Sequence, residues 1–84
     1  MKTQITVEQA REFTRNYLGT LKAKGMRNTY RSVREIARIM EIDVDKTNRF
    51  VLTAERNNFM CRDNLKMENF MHFPTLFTVC EANI

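Results

Sequence analysis

The sequence predicts an α+β domain: three helices and then a small antiparallel sheet. Three observations carry this. Apolar residues recur at steps of three or four through residues 6–57, the period of one helix face. Two segments in that stretch open with Thr or Ser followed three residues later by Gln or Glu, the reciprocal pattern that starts a helix. After Asn58 the period changes, and short runs rich in Phe, Met, Val and Thr are separated by turn residues.

The first helix spans about 6–24. Thr6 and Gln9 make the capping box, and Ala10, Phe13, Tyr17, Leu18 and Leu21 form its apolar face, with Arg11, Arg15 and Lys22 on other faces. Gly19 weakens this helix by up to ~1 kcal/mol relative to Ala, so it needs tertiary packing. Gly25 marks its end. Residues 26–31 are short, and Thr29 and Tyr30 favour a small extended segment there. Ser32 and Glu35 then open a second helix whose buried stripe is Val33, Ile36, Ala37 and Met40, while Arg34, Arg38 and Glu41 face out. Asp43 is the expected N-cap of a third helix, with Asp45 in its first turn. Thr47, Phe50, Val51 and Ala54 share the inner face of that helix; Lys46, Asn48, Arg49, Thr53 and Arg56 lie mainly on the other. Asn57 and Asn58 end it, since Asn tolerates the left-handed conformation.

Residues 59–62 are a candidate strand, Asp63 and Asn64 a plausible two-residue turn, and residues 66–73 the returning strand. Pro74 interrupts the pattern because it cannot sit mid-sheet. Residues 75–80 are again β-prone, and a third strand, a dimer arm or a docked tail all fit 75–84.

Helices two and three need a small residue where they cross, and Ala37 stands there, with Ile36, Met40, Ile42, Phe50 and Val51 filling the inside. At this point the sequence resembles the winged helix-turn-helix family. The motif V-R-E-I-A is residues 33–37, the turn is residues 40–43, and the recognition helix is residues 44–57. Asn58 occupies the position of the family's Gly, and Phe59 and Met60 enter the wing. The resemblance covers most of residues 26–73. It implies a helix-turn-helix over 32–57, wing strands over about 59–73, and a third helix lying in the major groove of double-stranded DNA. It places base-reading positions on Asp43, Val44, Asp45, Asn48 and Arg49. Asn pairs bidentately with adenine and Arg with guanine. Lys46 and Arg56 would contact phosphates, Arg62 and Lys66 would reach the backbone or minor groove from the wing, and Arg34 and Arg38 would add positive charge nearby. The chain departs from the family pattern in two respects. Glu41 stands where the family has a turn Gly, and Asp43 and Asp45 put negative charge on the helix end that would enter the groove.

Composition bounds the function. A chain of 84 residues is one domain over 1–84. Its 43% hydrophobic and 29% charged residues, with only two Gly and one Pro, exclude a disordered or low-complexity chain. Residues 1–38 carry nine Lys/Arg against three Asp/Glu, and residues 39–84 carry five against seven. That asymmetry hints at an anionic partner, although a solvated basic face explains it equally well. The polar start, with Lys2 and Gln4, and the lack of any run near ~20 apolar residues lead to the expectation of a cytoplasmic, reduced protein with no membrane partner. Cys61 and Cys80 make no disulfide framework and are expected to be small buried hydrophobes. His72, Cys61 and Cys80 lack metal-site spacing, and no nucleophile pattern or phosphate-cradling loop exists, so neither a cofactor nor catalysis is expected.

The expected function is that of a small sequence-specific transcription regulator, a homodimer on DNA. A different class remains open: a protein-binding adaptor or inhibitor of the kind carried by bacteriophages and mobile elements, acting on a host protein partner. Met60, Met67, Met71, Phe59, Phe70, Phe73 and Phe77 put much apolar surface into one small sheet; core packing accounts for most of them, and the remainder would lie at a dimer or partner interface. RNA binding ranks last, because the aromatics are placed like core and not like a stacking platform.

Overall fold

The chain forms a helix, a short strand, two helices and then two strands. The computed structural model describes residues 4–63 and 75–84. The elements are α1 (Val7–Ala23), β1 (Arg31–Ser32), α2 (Val33–Met40), α3 (Val44–Arg56), β2 (Met60–Arg62) and β3 (Leu76–Val79), followed by a 3-10 turn at Glu81–Asn83. The sheet has strand order β1-β3-β2 and is antiparallel throughout. The layout is that of a winged helix.

All three helix starts are set by local side-chain caps. Thr6 Oγ1 accepts the Gln9 N–H at 3.0 Å while Gln9 Oε1 accepts the Thr6 N–H at 2.9 Å. Ser32 and Glu35 make the same exchange at 3.2 Å in each direction. Asp43 Oδ2 accepts the Lys46 N–H at 3.1 Å. Each cap satisfies backbone donors that the first turn leaves without a partner.

The three helices also end alike. Gly25 at φ 67°, Glu41 at φ 58° and Asn58 at φ 66° each turn the chain into the left-handed region. The next residue then donates its N–H to the carbonyl five positions back: Met26 to Leu21 at 2.8 Å, Ile42 to Ala37 at 3.1 Å, and Phe59 to Ala54 at 2.8 Å. This closes the free carbonyls of the last turn.

The core is built where these elements meet. Ala10, Phe13, Tyr17 and Leu21 of α1 pack with Ile36, Val51, Ala54, Phe59, Met60, Phe77 and Val79. The Phe13 and Phe50 rings stack at 4.7 Å between centroids. Ala37 is buried between α2 and α3, where a larger side chain would force the helices apart. The two buried threonines satisfy their hydroxyls within their own helices: Thr14 donates to the Ala10 carbonyl and Thr47 to the Asp43 carbonyl, both at 2.8 Å. Arg11, expected on an outer face, is half-buried instead, its guanidinium 4.9 Å from the centre of the Phe59 ring.

The described strands refine the sequence reading of the sheet. The small strand before α2 is Arg31–Ser32, one step later than Thr29 and Tyr30 suggest. Asn28 takes over the pairing there through its side chain, which accepts the Val79 N–H at 3.0 Å and donates to the Val79 carbonyl at 2.9 Å. The strand that returns beside β2 is Leu76–Val79, with Met60 opposite Val79 and Arg62 opposite Phe77. The expected return over 66–73 lies outside the described residues, as does Asn64. Asp63 donates its N–H to the Leu76 carbonyl at 2.8 Å, which carries the pairing with the β3 side one residue past Arg62. Of the three alternatives for 75–84, residues 76–79 take the third strand, and it is the central one, pairing on both edges.

The cysteines correct an expectation about the chain's chemistry. Cys61 and Cys80 are joined by a disulfide, and Cys61 is exposed and not buried. The geometry follows from strand period two: Cys61 faces Thr78, and Cys80, two residues on, sits on the same side of the sheet. Their Cα atoms are 6.1 Å apart, within bridging range. Among the described residues, no helix is long and apolar enough to cross a membrane.

Candidate nucleic-acid interface

The outer side of α3 is set by its inner side. Thr47, Val51 and Ala54 are buried and Phe50 is half-buried, which turns Asp45, Asn48, Arg49 and Arg56 toward solvent. Between α3, the start of α2 and the β2–β3 pair runs an open groove of about 780 Å³. Arg34, Val44, Asp45, Asn48 and Arg62 line it. The antiparallel register brings Arg62 to this groove: it stands opposite Phe77, whose ring centre is 5.8 Å from its guanidinium carbon.

The structure thus brings Arg34, Asn48 and Arg62 together from three elements. Lys46, Arg49 and Arg56 are exposed on α3 but do not line the groove. Arg38 is exposed one turn beyond Arg34 and also lies outside the groove lining. Lys66 and His72 fall outside the described residues. Arg31 is drawn inward instead: its Nη1 donates to the Arg27 carbonyl at 2.7 Å and to the Tyr17 hydroxyl at 3.4 Å.

Two features of the site were not foreseen. Arg62 Nη2 lies 3.4 Å from Glu55 Oε1, so the wing cation is paired with α3. Thr75 and Phe77 also line the groove, because β3 runs beside β2. No motif in the sequence signals either; both arise from strand register.

The polar side chains divide into two groups. Asn28, Asn57 and Asn83 are used in the fold: Asn57 donates to the Thr53 carbonyl at 2.8 Å and Asn83 to the Asn58 carbonyl at 2.7 Å. Asn48 and Arg49 are exposed and make no hydrogen bond or ion pair among the described residues. An exposed amide and a guanidinium on adjacent positions of one helix offer bidentate partners to base edges. The two carboxylates at the helix start also separate: Asp43 caps the helix and Asp45 lines the groove. Among the described residues no group of three or more His, Cys, Asp or Glu is placed to hold a metal ion.

Compared with protein-family models, curated proteins and solved structures, the chain matches none.

Proposed function

We propose that this chain is a small sequence-specific DNA-binding regulator of transcription, of winged helix-turn-helix type, with α3 in the major groove and the β2–β3 pair on the flanking backbone. The observation that carries this reading is the pair Asn48 and Arg49: two base-reading side chains, exposed, adjacent and without partners among the described residues. Arg34 and Arg56 flank them with phosphate-binding charge. A DNA target implies a cytoplasmic site of action, where the Cys61–Cys80 bond meets a reducing thiol pool. A homodimer on a two-fold site goes with this reading.

The test is selection of bound sequences from a random duplex library, with light scattering for oligomeric state. Asn48→Ala and Arg49→Ala are expected to lose sequence preference, at ~1–3 kcal/mol for each base contact removed. Failure of the wild-type chain to bind any duplex at low salt overturns the reading.

One observation favours a second reading, a protein-binding adaptor or inhibitor. Val44 is 44% exposed at the start of α3, and Val33, Leu52 and Phe77 give the same groove an apolar lining. Retention of one stoichiometric protein partner after nuclease treatment, lost on Val44→Asp, supports that alternative.

A further inference from the structure

We propose that Asp45 discriminates between bases: its carboxylate accepts the N4 amino hydrogen of a cytosine, so the preferred duplex carries a C·G pair opposite the start of α3. The inference rests on the DNA-binding reading above. Its own ground is the contrast between neighbouring carboxylates. Asp43 Oδ2 is engaged by the Lys46 N–H at 3.1 Å, a cap that leaves it part of the fold. Asp45 is exposed, lines the groove beside Val44 and Asn48, and makes no hydrogen bond or ion pair among the described residues.

An ionised carboxylate only accepts hydrogen bonds. Every phosphate on the duplex repels it, so a backbone contact gains nothing from Asp45. Within the major groove the donors are the amino groups of cytosine and adenine. The adenine amino group sits beside N7, a second acceptor whose lone pair opposes the carboxylate. The cytosine amino group sits beside a C–H edge and carries no such penalty. Asn48, three residues on and along the same groove, lies about 4.5 Å further along the helix axis by the helical rise, enough to reach the adjoining base pair. The negative charge that lowers general affinity therefore becomes a filter: the chain loses binding everywhere except where an amino group meets Asp45.

The experiment uses the full chain. Sequences are selected from a random duplex library with the wild type and with Asp45→Ala, and affinities for the selected duplex and its single-pair variants are measured by fluorescence anisotropy. The wild type is expected to select C at one position and to bind about tenfold more weakly when that pair is changed. Asp45→Ala is expected to bind unrelated duplexes more tightly, because a negative charge is gone, and to lose the tenfold discrimination at that one position. Asp45→Asn is a second variant with the same backbone preference, and it is expected to move the selected base from C to A. If Asp45→Ala or Asp45→Asn keeps the wild-type base preference at every position, the role of Asp45 is overturned while DNA binding stands. If the wild type binds no duplex at low salt, the DNA reading fails and this inference with it.

Discussion

The guanidinium of Arg62, on β2, lies 3.4 Å from the carboxylate of Glu55, in the last turn of α3. The contact ties the sheet to the proposed recognition helix at the edge of the groove, and it neutralises the one wing cation among the described residues that lines that groove. Both side chains are partly exposed, so the pair adds little to stability, about 0–1 kcal/mol.

Its consequence is for binding. Glu55→Gln is expected to release Arg62 for a phosphate. Duplex affinity should rise at low salt, and the slope of log affinity against log salt should steepen by about one contact. Anisotropy titrations over a salt series check this, and an unchanged slope would show that Arg62 makes no phosphate contact.

The three left-handed helix ends give a stability prediction. Glu41 holds φ 58° with a side chain, whereas Gly25 does so without one. A left-handed non-glycine residue costs roughly 1–2 kcal/mol, part of which glycine returns through its greater freedom in the unfolded chain. Glu41→Gly is expected to stabilise the fold by about 0.5–1 kcal/mol in urea unfolding.

Gly19 is the opposite case. It sits inside α1, exposed, with nothing within 4 Å of where a Cβ would lie, and its backbone is helical. Gly19→Ala is expected to stabilise by roughly 0.5–1 kcal/mol, through helix propensity and a less flexible unfolded state. A loss of stability in thermal melts would mean that this face of α1 is covered.

Tyr17 supplies a pH prediction. Burial raises its hydroxyl above the ordinary value of 10.0, and the Arg31 hydrogen bond only partly opposes the shift. Above pH 10.0 the unfolded chain releases this proton while the folded chain keeps it, so the unfolded state gains. The stability associated with neutral Tyr17 is fully present below pH 10.0 and is lost as pH rises through the folded value. Tyr17→Phe is expected to lack this part of the alkaline decline, measured as the difference between the two proteins in urea titrations at neutral and alkaline pH.

The disulfide closes a loop with a sequence separation of 19. Constraint of the unfolded chain predicts a contribution of about 3 kcal/mol. Reduction, or the double change Cys61→Ser with Cys80→Ser, is expected to lower the unfolding midpoint accordingly, while β2 and β3 remain paired through their backbone.

How much of this was legible beforehand follows from the range of each interaction. The cap of α3 was legible because Asp43 and Lys46 are three residues apart, and the capping boxes at Thr6 and Ser32 likewise act within one turn. The buried faces of α1, α2 and α3 were legible because helical period places residues three and four apart on one side. The exposed positions of Asn48 and Arg49 followed from those faces. The pairing of β2 with β3 was not legible, since two β-prone runs, 66–73 and 75–80, competed for one partner and period alone does not rank them.

By itself, then, the sequence of this protein determined its helices, their caps, the crossing at Ala37 and the side of α3 that meets solvent. All of these are decided by residues within a turn or two of each other. The tertiary structure alone decided that Leu76–Val79 is the central strand, that Cys61 meets Cys80, that Arg62 meets Glu55, and that Asp45 lines a groove while Asp43 does not. These are consequences of strand register and of how α3 seats against the sheet. Register is a collective choice: it is set by which apolar set, here Met60 with Phe77 and Val79, buries most completely against α1 and α3.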